Sequence, residues 1–140
     1  MQHFHCFICP LIAFAILLPT TSSANETAVS FKKDIKPVLR EKCVHCHNKK
    51  ILPDRVSFES ASEAFTTTKS GQKIIVPGAP EKSLILLALE GGSHFELAMP
   101  QTGPKPSIRD IQLIRQWIAE GAKWPNGWAG LIRPTFYPKE

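Results

Sequence analysis

Five consecutive residues, Cys43-Val44-His45-Cys46-His47, constrain this chain more than any other stretch of it. Two thiols three positions apart lie on one side of a helical turn, and a group bonded to both sulfurs has the His47 imidazole pointed at its centre. This is C-x-x-C-H, in which the thiols bond covalently to haem vinyl groups and the adjacent histidine ligates the iron. The motif predicts one haem c, held by Cys43 and Cys46, with His47 as the first axial ligand. A domain drawn from 140 residues buries little surface, so a haem, itself a large apolar body, becomes the centre of its core.

Two other chemistries use similar spacing. Thioredoxin-like exchange sets its dithiol within a β-α-β pattern, whereas the stretch before Cys43 reads as helix. A structural zinc site usually takes four Cys or His ligands, and here His45 and His47 are crowded against the two thiols. Thiol-disulfide exchange is kept as the reading that applies if no haem is attached.

The first 24 residues hold no Lys, Arg, Asp or Glu, and Phe7 to Leu18 is almost continuously apolar before Pro19 and the small residues Ser22-Ser23-Ala24. Residues 1–24 are therefore expected to be a signal peptide, although its leading stretch carries His3 and His5 where Lys or Arg is usual. The apolar run falls short of the roughly 20 residues that span hydrocarbon, so a retained anchor is the lesser reading. Cys6 and Cys9 follow His5 and Ile8, not the small residue that lipid attachment requires. Of four Cys, five His and two Met, the chain beyond residue 24 keeps Cys43, Cys46, His45, His47, His94 and Met99. Haem attachment takes place after export, so the two features support each other, and the expected location is the periplasm.

For the sixth position on the iron the candidates are Met99 and His94, because His45 sits inside the attachment loop and cannot reach the opposite face. Pro100 restricts Met99 to extended backbone, which presents its thioether on a stiff segment. Met99 is the expected ligand. The common fate of a methionine is to fill a core, but this one lies in a loop and is the sole methionine past the signal segment. His94 is the runner-up ligand, and His45 is expected to face solvent.

The expected fold class is all-α, a small cytochrome c-like domain over residues 25–125 whose N- and C-terminal helices pack across each other, followed by a tail over 126–140. Ser30 caps a first helix with Phe31, Ile35, Val38 and Leu39 on one face; Pro37 either kinks it or sits in its first turn. Residues 48–80 read as loop, with a short helix opened by Ser60 and Glu63 at capping-box spacing, and with Leu52, Val56, Phe58 and Phe65 able to line a pocket. Pro77-Gly78-Ala79-Pro80 turns into a helix from about Glu81 to Glu90, apolar on most sides and so expected to be buried. Gly91-Gly92 ends it. Ser107 and Asp110 box the last helix, whose stripe is Ile108, Ile111, Ile114, Trp117 and Ile118, and Gly121 closes it. Trp128, Phe136 and Tyr137 in the tail are expected to return over their own domain.

Several ordered stretches carry a family resemblance: Phe31-x-x-Asp34-Ile35-x-Pro37-x-Leu39, Cys43-x-x-Cys46-His47-Asn48, Pro77-Gly78 with Ser83-Leu84, Met99-Pro100, and Trp117-Ile118-x-x-Gly121-Ala122-x-Trp124-Pro125. Together they resemble the planctomycete-type cytochrome c domains of the class I cytochrome c family. The resemblance implies an all-α haem fold with His47 and Met99 as axial ligands, electron transfer as the activity, and no catalytic residue. It departs from the family pattern at Lys49-Lys50, which stand in place of glycines, and at Ala79, where a capping Asp is common.

Iron held by His and Met has no open position for a substrate, and that ligand pair favours a relatively high potential. The chain thus reads as a one-electron carrier, not an enzyme, either separate or as the electron-accepting subunit of a dehydrogenase; a haem-based redox or gas sensor is the rival should Met99 be absent from the iron. The formal net charge is +5, and Lys32, Lys33, Lys36, Arg40, Lys42, Lys49, Lys50 and Arg55 bracket the haem motif. They suit an acidic protein redox partner, although a helix that spreads such charges around its circumference also suits a plain solvated surface. Nucleic-acid binding is not expected of an exported haem protein with no recognition motif, and membrane association is expected only if the signal segment is retained.

Overall fold

The computed structural model describes residues 28–91 and 98–134; the expected signal segment, His94, Phe136 and Tyr137 lie outside them. Among the described residues the chain is all-α, with no strand and one isolated bridge between Thr67 and Lys73. No helix among the described residues is long and apolar enough to cross a membrane.

The chain enters through a wide π-type turn, Phe31–Ile35, and tightens into α1, Lys36–Lys42. Ser30 starts it as expected: its Oγ accepts from Lys33 N at 3.3 Å, and its own N–H donates to Asp34 Oδ2 at 2.8 Å. Pro37 falls in the first turn of α1, where the wide entry turn gives way to the α-helix and a missing N–H is best tolerated. The short α2, Ala61–Ala64, forms where Ser60 precedes it, but Ser60 makes no side-chain cap bond. The Glu63 carboxylate keeps a side-chain bond to Ser60 and also reaches Lys49 and Ser57.

The apolar stretch after Pro80 does not form one continuous helix. A 3-10 turn, Pro80–Lys82, is followed by α3, Leu84–Leu89. Between them Ser83 is fully buried; its Oγ accepts from Val76 N at 2.9 Å and lies 3.0 Å from Ala79 O. Those side-chain bonds fix a break that hydrophobicity alone does not reveal. Nor is α3 wholly covered: Ile85 and Leu86 are buried, whereas Leu87 is 44% exposed.

The last helix, α4, Ile108–Ala119, has the full capping box, with Asp110 N on Ser107 Oγ at 3.1 Å and Ser107 N on Asp110 Oδ2 at 2.8 Å. Ile114, Trp117 and Ile118 are buried, but Ile108, at the first position, is 77% exposed and leaves the stripe. At the other end Gly121 takes φ +96°, and the bonds Gly121 N to Ile118 O and Ala122 N to Trp117 O close the helix, the paired-bond termination that a left-handed residue permits. α4 lies against α3 and, at its C-terminal half, against the entry turn. There Phe31 meets Trp117 and Trp124 at ring-centroid distances of 6.0 and 4.5 Å. The terminal segments therefore meet through the π-type turn. Truncating a buried tryptophan such as Trp117 typically costs ~3–5 kcal/mol.

Beyond Pro125 the chain folds back. Trp124 Nε1 donates to Gly130 O at 2.8 Å, Ile132 N donates to Glu59 O at 2.9 Å, and the Ile132 side chain is buried. Gly130 has no room for a Cβ, which would lie 1.8 Å from Pro125 O. Trp128, expected to cover the domain, is instead 79% exposed, and Ile132 does the covering.

Candidate haem-attachment site

The attachment loop begins where α1 ends. Cys43 N and Val44 N both bond Leu39 O, at 3.0 and 2.9 Å, and His47 N bonds Cys43 O at 2.8 Å. The chain thus turns through one tight loop while both thiols remain free. Cys43 is buried and Cys46 is exposed. Burial, with a lesser contribution from the neighbouring Cys46, pushes the Cys43 thiol up to about 12. A thiol held protonated is a poor nucleophile, so burial does not activate Cys43. His45 is exposed, as expected.

Asn48 holds the loop from beneath. It is 1% exposed, and its amide nitrogen donates to Val44 O at 2.8 Å and His45 O at 3.0 Å. Its Oδ1 accepts from Lys50 N at 3.0 Å and Ile51 N at 2.9 Å. All four bonding directions of the amide are therefore used within the chain. Asn48 thereby links the attachment loop to the turn that follows it.

His47 is held at two points. Its Nδ1 lies 3.1 Å from Val56 O, and its backbone carbonyl accepts from Phe58 N at 3.0 Å. Phe58 also packs edge-on against the imidazole, with ring centroids 5.6 Å apart. A carbonyl oxygen can only accept, so Nδ1 carries the proton and Nε2 keeps its lone pair. Burial, and Arg55 nearby, hold the His47 pKa below the usual imidazole value, although the Val56 bond pulls the other way. A neutral ring bonded at Nδ1 is the form in which histidine ligates a metal, and the carbonyl raises its donor strength.

Met99 is half-buried in the segment between α3 and α4, and its N–H bonds Ala88 O at 2.8 Å. The Met99–Pro100 peptide is cis. The donor set of two free thiols, an imidazole with Nε2 available and a thioether fits a covalently attached haem. Among the described residues no group of three or more His, Cys, Asp or Glu is arranged to hold a bare metal ion.

Sequence reasoning singled out the thiols and His47 but not the groups that hold them. Asn48, Ser57 and Val56 O were legible only as a polar residue, a loop serine and a backbone atom. Asn48 alone carried a signal, as the residue that follows the motif in the resemblance.

No curated protein and no solved structure matches the chain. A cytochrome c domain implies haem c and an electron-transfer role. Residues 43–101 match the family model described as Planctomycete cytochrome C, so the family that the separate stretches resemble is found where the thiols, His47 and Met99 lie.

Proposed function

We propose that this chain is an exported, periplasmic monohaem c-type cytochrome that passes single electrons between protein partners. The observation that carries the reading is the state of His47: Nδ1 is committed to Val56 O and Nε2 is free, beside two unpaired thiols. Bound there, haem supplies a one-electron iron couple. Cys43 and Cys46 would tether it, and His47 and Met99 would supply the iron's protein ligands. With both axial positions filled by protein, substrates find no open coordination site, which is what a carrier needs.

Exposed Lys32, Lys33, Arg40, Lys49, Lys50 and Arg55 around the motif provide a basic surface for an acidic redox partner, whose encounter rate then falls with ionic strength. Export would let the haem be attached on the far side of the membrane and remove residues 1–24.

The test is maturation of the full chain in a host that exports and attaches haem. One covalent haem per chain, surviving acid-acetone extraction, with both thiols consumed in the intact mass and residues 1–24 missing, is the expected result. Extractable haem, or none, overturns the reading.

A further inference from the structure

The two points that hold His47 belong to residues 56 and 58, and the side chain between them, Ser57, faces away from the ligand into a charged cluster. Ser57 is 2% exposed. Its Oγ donates to Glu63 Oε2 at 2.7 Å and accepts from Glu59 N at 3.2 Å. A hydroxyl has one proton, so the 3.3 Å approach of Glu59 Oε2 to the same oxygen is the weaker contact. The other oxygen of Glu63, Oε1, takes Lys49 Nζ at 2.7 Å, and Lys49 N donates to Glu59 Oε2 at 2.8 Å. The path closes on itself: His47, Val56 and Phe58, Ser57, Glu63, Lys49, and back along the chain to His47.

We propose that Ser57, Glu63 and Lys49 form a clamp that positions His47 and thereby sets the electron-donating strength of its ring. The proposal rests on His47 being an iron ligand. If the 56–58 segment moved off the attachment loop, the Val56 bond to the ring and the Phe58 bond to the ligand's carbonyl would lengthen together. The Lys49–Glu63 pair and the Ser57 bond oppose that movement, one of them charge-assisted and the other short and buried. A carbonyl bonded to Nδ1–H makes the ring a stronger donor and favours ferric iron; loosening the clamp therefore raises the potential.

Two variants of the haem-loaded full chain separate this from simple electrostatics and from mere stabilisation. Ser57→Ala changes no charge, and Lys49→Gln removes a positive charge, which by Coulomb's law alone lowers the potential. In the proposal both raise it, rearrange the haem-methyl resonances of the oxidised protein, and speed exchange of the Phe58 amide proton. Glu63→Gln, which can still accept from Ser57, shows a smaller change in resonances and exchange than Glu63→Ala. The proposal is overturned if Ser57→Ala leaves potential and resonances unchanged with only a lower unfolding midpoint, or if Lys49→Gln lowers the potential. Should Ser57→Ala fail to mature, Lys49→Gln, whose side chain is 65% exposed, still decides. Absence of covalent haem in the unmutated protein would instead defeat the proposed function.

Discussion

The two sides from which the iron would be held are built differently. On the His47 side, residues 43–63 form a dense polar scaffold in which the ligand's ring and backbone, the amide of Asn48 and the hydroxyl of Ser57 all have partners. On the Met99 side the ligand residue is tied to α3 through its backbone N–H on Ala88 O, in a stretch bordered by half-buried Ala98 and Pro100. His47 is thus oriented by the chain, through directional bonds. Met99 is tied through its backbone N–H, so a bond to iron would have more to do in orienting its side chain. A weak, soft thioether is also the ligand that competing molecules displace first.

The sharpest way to break this comparison is to remove each ligand in turn. His47→Ala in the maturing host should abolish holoprotein, whereas Met99→Ala should still yield covalent haem, now open to carbon monoxide, with the iron–sulfur charge-transfer band lost and a lower potential. His94→Ala should leave all three unchanged. If His94→Ala opens the iron and Met99→Ala leaves the spectrum intact, the second ligand is His94; ready carbon monoxide binding by the unmutated reduced protein favours the sensor.

A smaller effect is expected from the scaffold itself. Asn48→Ala strips the buried Val44 carbonyl of its partner, and an unsatisfied buried polar group costs about 1–3 kcal/mol. Denaturant unfolding of the holoprotein should show a loss of that size. A loss near zero would mean that water replaces the amide and that the attachment loop is held by the thioether bonds alone.

The smallest effect concerns acid. Burial pushes the Glu63 carboxyl up, but the bonds from Lys49, Ser57 and Ser60 and the Lys49 charge outweigh it and hold the group below the usual carboxylate range. A carboxyl whose pKa is depressed on folding binds fewer protons folded than unfolded, so its contribution is present above the unfolded value of about 4.3 and lost as pH falls through the folded one. Holoprotein stability measured from neutral pH downward should stay level in this respect and then fall on the acid side of about 4.3, with a shallower fall in Glu63→Gln. Equal slopes would mean that the pair is open in solution.

Much of the site was legible because its chemistry is local. The spacing of Cys43, Cys46 and His47 is that of a haem-attachment motif, readable in five letters, and the ends of α4 were legible because Ser107, Asp110 and Gly121 act within one turn. What the chain could not reveal alone depends on partners far along it. The break at Ser83 arises from bonds to Val76 and Ala79 that replace a continuous helix, and the burial of Ile74 and Ile75 lies in a stretch without periodicity. The tail shows the same limit: Trp128 and Ile132 are both apolar, and only the backbone bond from Ile132 to Glu59 decides which is buried. Local sequence determined the attachment motif and the helix caps. Tertiary structure decided which carbonyl faces the His47 ring, which serine stands behind it and which carboxylate pairs with Lys49, because each joins residues whose proximity exists only after the chain has folded.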